Sequence, residues 1–531
     1  MEILVSSAVI AVAVIFSIVI SRWLFSKISV NYISIFIGMA IALVPFLNRH
    51  VMEFDADFFM GIIIAPLLFF EGQHTRMNLV GRNLKLIISL TVGMVILCAL
   101  AGGFAVAALF PIGLPLAFIL AAISTPTDAT ATESVTNGLI VPRQQNTSLK
   151  LESLFNDASG IVLLNMALLW YVNGYINYGQ TLWNFLYSAV GGVALGAIIA
   201  IILVFIRQAM LRSRMNFIGN TYNNGTPLKL MYLLTPYLIY YSAEACGVSG
   251  IIAVVFAGLI HNAEGERSEL SNPVLAYDGN EIVRLINDTL NGAVFVILGI
   301  MLVRMIKNPA IHYGSLVWVG VGIALYVANL LIRYLYVRIV HHNSRRAAWI
   351  FSLGGIHGAV TFALAFTIAE TQVHRQDFNL ILMAESTLII LSMIVPTIAF
   401  RFILQPQKFN KDRASRIQEL RDEMVGHAIH EIQQLSIPDE VKLAVSFDLR
   451  SQKGQTSLKE FWHEWTRMVR HEEFTEERIN TALNTFRVAF RAERAFLLAN
   501  YQRLGLSTAD YNRLYRETMN AEMVVLDSYI N

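Results

Sequence analysis

Residues 151–164 read LESLFNDASGIVLL and place two carboxylates, Glu152 and Asp157, inside an apolar stretch that is typical of a helix in lipid. A charged side chain at the centre of a bilayer costs ~2.5 to 3.5 kcal/mol on insertion scales. Ionisable residues that occur there nevertheless usually mark an ion pathway or pair with another charge. The stretch therefore predicts a functional site within a membrane-spanning helix.

The composition of the whole chain agrees with a membrane environment. Of the 531 residues, 55% are hydrophobic and only 15% are charged, and the mean hydropathy is +0.54. These values predict a polytopic membrane protein. The net charge of +2 gives no indication of a nucleic-acid partner. The sequence contains no nucleotide loop and no metalloprotease motif, so we do not expect an enzyme.

Apolar windows of about 20 residues predict thirteen membrane-spanning helices. They lie at about 3–20, 28–47, 57–72, 86–109, 113–133, 148–172, 183–206, 229–247, 249–263, 287–303, 312–340, 349–370 and 379–403. Lys and Arg are concentrated on alternate loops, which predicts an external N-terminus and a cytoplasmic C-terminus. We expect the protein to lie in the plasma membrane.

The composition changes after residue 403, which divides the chain into a transmembrane domain at 1–403 and a polar domain at 404–531. Apolar residues at helical spacing predict that the second domain is helical and cytoplasmic. We expect it to have a regulatory or dimer-contacting role. His427, His430 and Glu431 have a spacing that could place metal ligands on one helix face, although ordinary surface positions would give the same pattern.

The fifth predicted span contains the sequence AAISTPTDATATESV at 121–135. Pro126 removes a backbone donor, and the surrounding hydroxyls compete with helical hydrogen bonds. We therefore expect a broken helix around Asp128, with a simple proline kink as the alternative. Irregular backbone at membrane depth is tolerated where it is buried in protein or lines a cavity, and in transporters it forms the substrate site.

The sixth span supplies a second set of oxygen ligands. Ser153 and Asp157 are four residues apart and share a helix face, whereas Asn156 lies on the face of Glu152. A carboxylate, a hydroxyl and carbonyl groups from a broken helix suit Na⁺ or Li⁺ and do not suit soft metals. Because one carboxylate can hold a proton or a metal cation but not both, this arrangement predicts exchange of the two.

Six motifs occur in the order found in sodium/proton antiporters. They are LLFFEG at 67–72, STPTDATA at 124–131, ESLFND at 152–157, YYSAEACGVSGIIAVVFAGL at 240–259, FVILGI at 295–300 and GGIHGAVTFALA at 354–365. The chain most resembles the electroneutral branch, which includes bacterial and archaeal antiporters and the sodium/hydrogen exchangers. This resemblance implies an all-α fold of about thirteen transmembrane helices, with inverted repeats and two broken helices that cross. It also implies a homodimer.

The resemblance assigns roles to the polar residues of these motifs. Asp157 resembles the carrier of ion and proton, while Asp128 and Ser153 resemble Na⁺ ligands. Thr127 is similar to a ligand that acts through its carbonyl group, and Asn156 resembles a residue that steadies Asp128 or the broken helix. Glu71 is similar to an acidic residue that approaches the site through water. For each of them, a hydrogen bond to a neighbouring helix is the structural alternative.

Glu152 resembles a structural carboxylate that is held by arginine. Arg333 is the candidate partner. The family pattern Gly-Leu-Arg-Gly-Ala contains a second arginine, and this chain has His357 at that position. Because histidine can lose its charge in the physiological pH range, we hypothesise that His357 makes the core sensitive to pH. A neutral packing histidine is the alternative.

These observations together predict an electroneutral antiporter that exchanges one Na⁺, Li⁺ or K⁺ for one H⁺ by alternating access around Asp157. Such a protein needs no cofactor, contacts membrane lipid and serves sodium transport and pH homeostasis. A K⁺/H⁺-preferring antiporter is the first alternative. A gated cation channel is the second, but the sequence has no TVGYG-type filter motif.

Overall fold

The computed structural model describes most of the chain. The described residues are 2–23, 29–52, 54–175, 178–212, 225–268, 273–307, 316–368, 373–406, 411–453, 462, 476–501 and 507–530. Short parts of the predicted spans, at 28, 312–315 and 369–370, lie outside these ranges, as do parts of the predicted C-terminal domain.

The described chain is almost entirely helical, as the sequence predicts. The helices of the first part are α1 (Glu2–Trp23), α2 (Val30–Leu43), α3 (Pro45–His50), α4 (Ala56–Phe59), α5 (Ala65–His74), α6 (Met77–Arg82), α7 (Leu84–Ile88), α8 (Val95–Leu109), α9 (Leu114–Ile123), α10 (Ala129–Val135), α11 (Arg143–Asn173), α12 (Tyr178–Arg212), α13 (Gly225–Ala245), α14 (Gly250–Ser268), α15 (Pro273–Ile306), α16 (Val317–Ile339), α17 (Arg345–Leu353), α18 (Ala359–Thr367) and α19 (Arg375–Ile403). Two π-helical turns, Met60–Ile64 and Ser89–Met94, join α4 to α5 and α7 to α8. These π-helical turns are not predicted from the sequence, and neither is an antiparallel pair of two-residue strands, β1 (Leu139–Ile140) and β2 (Gln405–Pro406).

Within the described residues, eight helical segments are long and apolar enough to cross a membrane, and three shorter helices are apolar. Every predicted span overlaps one of the helices of the first part, or two helices separated by a break. The protein is therefore an all-helical membrane protein. The number of thirteen crossings and the external N-terminus remain predictions.

The chain divides into two compact units, Met1–Gln407 and Lys408–Asn531. The second unit contains α20 (Lys411–Gln433), α21 (Asp439–Ser451), α22 (Glu476–Asn500) and α23 (Thr508–Ile530). Its helices pack around a core of their own, which includes Val425, Val445, Phe486 and Phe490. Each helix alternates apolar and charged residues at the spacing expected for one buried face.

Close helix packing in the first unit depends on small residues. Gly192 and Gly196 on α12 lie directly against the backbone of Ser249 and Ala253, at the start of α14. A methyl group at either glycine would overlap a carbonyl oxygen of the neighbouring segment. The Gly-xxx-Gly spacing thus serves packing, as it commonly does between helices in lipid.

Candidate ion-binding site

Two interrupted helices meet at the centre of the first unit. The α9–α10 interruption spans residues 124–128, and the α17–α18 interruption spans residues 354–358. The backbone N–H of Asp128 donates to the carbonyl of Ile356 at 2.7 Å, and the Thr132 hydroxyl donates to the carbonyl of Gly354 at 2.8 Å. The break at Pro126 is therefore a full interruption and not a simple kink.

Asp128 is the N-cap of α10, and its carboxylate is also near the start of α18. Its Oδ1 accepts hydrogen bonds from the N–H groups of Thr130 and Ala131 and from the Thr130 hydroxyl, at 2.7 to 3.0 Å. Its Oδ2 lies 3.4 Å from the N–H of Ala359. A carboxylate is favoured here because two helix N-termini, each with a partial positive charge, point towards it.

Asp157 lies beside a small cavity between α11 and these interruptions. The Asp157 side chain is 2% exposed, and its Oδ1 has no hydrogen-bond partner among the described residues. The cavity has a volume of about 30 Å³, enough for a dehydrated small cation or a water molecule. Asp128, Glu71, Ser153 and Thr127 also line it, together with Thr130, Asn291 and aliphatic side chains.

Hydrogen bonds attach α11 to the first interruption. The Ser153 hydroxyl donates to the Thr127 carbonyl at 2.7 Å, and the Asn156 amide donates to the Thr127 hydroxyl at 2.8 Å. Of the two roles predicted for Asn156, these contacts place it at the broken helix and not at Asp128. The Thr127 carbonyl and the Ser153 oxygen keep lone pairs that could turn to a bound cation.

Glu152 and Arg333 form a buried ion pair behind the cavity. Arg333 Nη2 lies 2.8 Å from Glu152 Oε2, and Nη1 contacts Oε1. Both side chains are almost fully buried, and the guanidinium also lies over the ring of Phe351 at 4.8 Å. Because the paired charges cancel, Glu152 adds no net negative charge to the cavity beside Asp157.

His357 does not join this ion pair. Its ring Nδ1 is 2.8 Å from the carbonyl of Pro126, and its backbone N–H donates to the Ser392 hydroxyl at 3.0 Å. The structure therefore does not bring His357 to Glu152, and an effect of His357 on the pH sensitivity of the core stays a prediction. The histidine instead connects the second interruption to the first.

Three further polar residues support the site and were not singled out from the sequence. The Asn329 amide donates to the Ser124 carbonyl, at the end of α9, and the Thr361 hydroxyl donates to the Pro126 carbonyl. Asn291 on α15 lines the small cavity. A lone amide or hydroxyl in a transmembrane stretch is a weak signal, because its partner is a distant backbone group that the sequence does not reveal.

A larger cavity of about 720 Å³ adjoins the small one. Glu71, Ala129, Thr130 and Asn291 line both cavities. The Lys150–Glu133 ion pair, with 2.5 Å between Nζ and Oε1, also borders the larger cavity, and both of its side chains are more than half exposed. The larger cavity, called the vestibule below, therefore connects the buried carboxylates to the surface at the end of the bundle where α1 and α5 end and α11 begins.

The chain matches one protein family over most of its length. Residues 10–406 match the family described as sodium/hydrogen exchanger, transmembrane. A sodium, potassium, lithium and rubidium/H⁺ antiporter of Bacillus pumilus is 28% identical over 476 residues, which cover 85% of this chain and 69% of the relative. The protein of the same name from Bacillus subtilis is 29% identical, and the match covers 66% of this chain and 54% of that relative.

A solved structure has the same fold. The sodium proton antiporter of Methanocaldococcus jannaschii superimposes with a TM-score of 0.59 at 19% sequence identity. The superposition covers 76% of this chain and 98% of that chain. The transmembrane unit thus has the architecture of that antiporter.

Proposed function

The chain belongs to the transmembrane sodium/hydrogen exchanger family, and we propose that it exchanges a monovalent cation for a proton by alternating access at Asp157. The proposal rests above all on one arrangement. Asp157, Asp128 and Glu71 border a cavity of about 30 Å³ whose described lining residues include no cation. Such a concentration of carboxylates requires a positive charge, which a proton or a small metal cation can supply.

The exchange follows from competition for Asp157. When a cation enters from the vestibule, the Asp157 carboxylate, the Ser153 hydroxyl, the Thr127 carbonyl and Asp128 replace its hydration shell. When the cation leaves, a proton takes its place on Asp157, so the site carries a compensating charge in both cases. Glu71, which lines both cavities, is placed to pass the cation between them.

Oxygen ligands favour hard cations such as Na⁺ and Li⁺. The Bacillus relatives are named for transport of sodium, potassium, lithium and rubidium. This breadth supports a substrate range that includes K⁺, with a K⁺/H⁺-preferring antiporter as the alternative.

The proposed stoichiometry is one cation for one proton. Asn156 stands beside Asp157, so that the pair contributes one titratable carboxylate, and Glu152 is neutralised by Arg333. A single carboxylate that alternates between one proton and one monovalent cation moves no net charge. The full proposal is an electroneutral homodimer in the plasma membrane, with its N-terminus outside and its C-terminal unit in the cytoplasm.

The decisive experiment measures proton movement in proteoliposomes that contain the purified full-length protein. Addition of Na⁺, Li⁺ or K⁺ should dissipate an imposed pH gradient. An imposed membrane potential should leave the rate unchanged, because the exchange is electroneutral. Current-carrying cation flux without proton movement would overturn the proposal in favour of a channel.

Asp157→Asn should abolish the exchange, because an amide can neither release a proton nor bind a cation with the strength of a carboxylate. Asp377→Asn is the matched control, since Asp377 accepts a hydrogen bond from the Tyr171 hydroxyl at 2.6 Å and does not line the small cavity. The control should retain exchange. Full exchange by Asp157→Asn would contradict the assignment of this carboxylate.

A further inference from the structure

A third cavity in the transmembrane unit has no part in the proposed exchange. It has a volume of about 520 Å³, within the range of about 300 to 1,000 Å³ in which proteins bind small ligands. It lies between the α6–α7 segment, the N-terminal turns of α11, the end of α16 and α17. None of its lining residues borders the vestibule or the small cavity.

One part of this cavity is apolar and the other is polar. The apolar part is formed by Leu79, Leu86, Leu90, Val337 and Phe351, and the polar part by Asn83, Arg143, Gln144, Thr147, Ser148, His341 and Asn343. No acidic side chain is found among these described lining residues. The lining therefore suits a ligand with a hydrocarbon part and an anionic, hydrogen-bonding part.

Arg143 supplies the positive charge. Its side chain is exposed and makes no hydrogen bond or ion pair with residues that the structure describes. The hydroxyls of Thr147 and Ser148 lie one turn further along the same helix. A guanidinium with hydroxyl groups nearby matches the oxygens of a phosphodiester.

The helices that form the apolar part also present apolar side chains to the surface of the bundle. Leu84 and Ile88 on α7 are 53% and 54% exposed, and Ile339 at the end of α16 is 62% exposed. The wall between these helices is held in place by the Ser89 hydroxyl, which lies 2.8 Å from the Tyr336 hydroxyl and 3.2 Å from His341 Nε2. Apolar surface that suits lipid therefore occurs on the same helices that line the cavity.

We propose that this cavity binds an anionic phospholipid of the surrounding bilayer, with its phosphate at Arg143 and one acyl chain against Leu86, Leu90 and Val337. Basic pockets between transmembrane helices at the membrane surface are suited to such headgroups. The proposal is independent of cation exchange, because the two sites share no lining residue.

The test measures lipid retained by the full-length protein in nanodiscs that contain phosphatidylglycerol and phosphatidylcholine. After extraction into detergent, native mass spectrometry counts the bound phosphatidylglycerol. The wild type should retain phosphatidylglycerol in preference to phosphatidylcholine. Arg143→Gln should weaken the retention about tenfold, as expected for loss of a charge-assisted hydrogen bond.

Two variants distinguish binding of the lipid in the cavity from general attraction of an anionic lipid to a basic protein surface. Thr147→Phe fills the cavity without changing the charge and should also lose the lipid. Arg345→Gln removes a charge from an exposed arginine that does not line the cavity, and it should retain the lipid. Cation exchange by each variant, measured in parallel, reports whether the protein is folded.

Three results would overturn the proposal. The first is equal retention of phosphatidylglycerol by the wild type and by folded Arg143→Gln. The second is an equal loss in Arg345→Gln, which would indicate surface charge alone. The third is displacement of the lipid by millimolar inorganic phosphate, which would make the cavity a simple anion site.

Discussion

Glu152 and Asp157 are five residues apart on one helix, but their surroundings give them different roles. Glu152 is fully buried and receives two hydrogen bonds from Arg333. Asp157 is equally buried but has an oxygen without a partner, beside a cavity. The paired carboxylate holds α11 to α16, whereas the unpaired one is free to take a transported charge.

The ion pair gives a prediction about stability. Glu152→Gln should lower the free energy of unfolding by about 3 to 5 kcal/mol, because it leaves a buried guanidinium without a counter-charge. The double variant Glu152→Leu with Arg333→Met removes both charges and should lose less stability than Glu152→Gln. Denaturant unfolding of the full-length protein in mixed micelles measures both values.

The double variant is the decisive member of this comparison. If it is as unstable as Glu152→Gln or more so, removal of both charges restores no stability and the prediction is contradicted. Glu152→Gln keeps the Arg333 guanidinium over the Phe351 ring at 4.8 Å, whereas the double variant loses it, so this cation–π contact would then be the larger contribution to stability.

At the scale of elements, the first broken helix could be predicted from the sequence and the details of its contacts could not. Pro126 and its neighbouring hydroxyls are local signals that act within one turn of the chain. The partners of the Pro126 carbonyl are His357 and Thr361, and the partner of the Ser124 carbonyl is Asn329, all more than 200 residues away. Such contacts depend on how distant helices pack. The family resemblance supplied the pairing of Glu152 with Arg333, which no local pattern contains.

The helix α22 of the C-terminal unit carries a buried carboxyl group with an unusual pKa. Glu493 is 1% exposed, and burial raises its pKa from an ordinary value of 4.5 to about 7. Hydrogen bonds with the side chains of Thr518 and Gln452, and the charge of Arg494, offset part of this increase. Between pH 4.5 and 7 the folded unit therefore holds a proton that the unfolded chain has released. Stability should fall as the pH rises through this window, by about 3 kcal/mol in total.

Glu493→Gln should remove this pH dependence, because the amide is neutral in both states. Hydrogen–deuterium exchange of α22 in the full-length protein, corrected for the intrinsic exchange rate, measures its opening free energy from pH 5 to 8. Wild type and the control Glu477→Gln, whose side chain is exposed on the same helix, should lose protection with rising pH. A pH dependence of Glu493→Gln equal to that of the wild type would assign the effect to another group.

At the scale of the whole molecule, the arrangement of cavities is asymmetric. The vestibule reaches the buried carboxylates from the end of the bundle where α1 and α5 end and α11 begins. The other lining residues of the small cavity are largely aliphatic, at Ile64, Leu67, Leu68, Val294 and Val360. The distribution of Lys and Arg predicts that the vestibule end faces the cytoplasm. This conformation then corresponds to the inward-open state of an alternating-access cycle.

Accessibility of a single cysteine tests this orientation. Ala129 lines both cavities, and replacement of the native Cys98 and Cys246 gives a background for Ala129→Cys. A charged, membrane-impermeant thiol reagent should label Ala129→Cys in everted vesicles, where the cytoplasmic face is outside, and millimolar Na⁺ should slow the labelling. Ser29→Cys, which lines the vestibule but not the small cavity, should be labelled from the same face without protection by Na⁺.

Labelling of both cysteines only in right-side-out vesicles would reverse the predicted topology. A cation held at Asp157 and Asp128 would lie next to residue 129 and should hinder its labelling. If Na⁺ does not slow the labelling of Ala129→Cys, the vestibule is not part of the cation path.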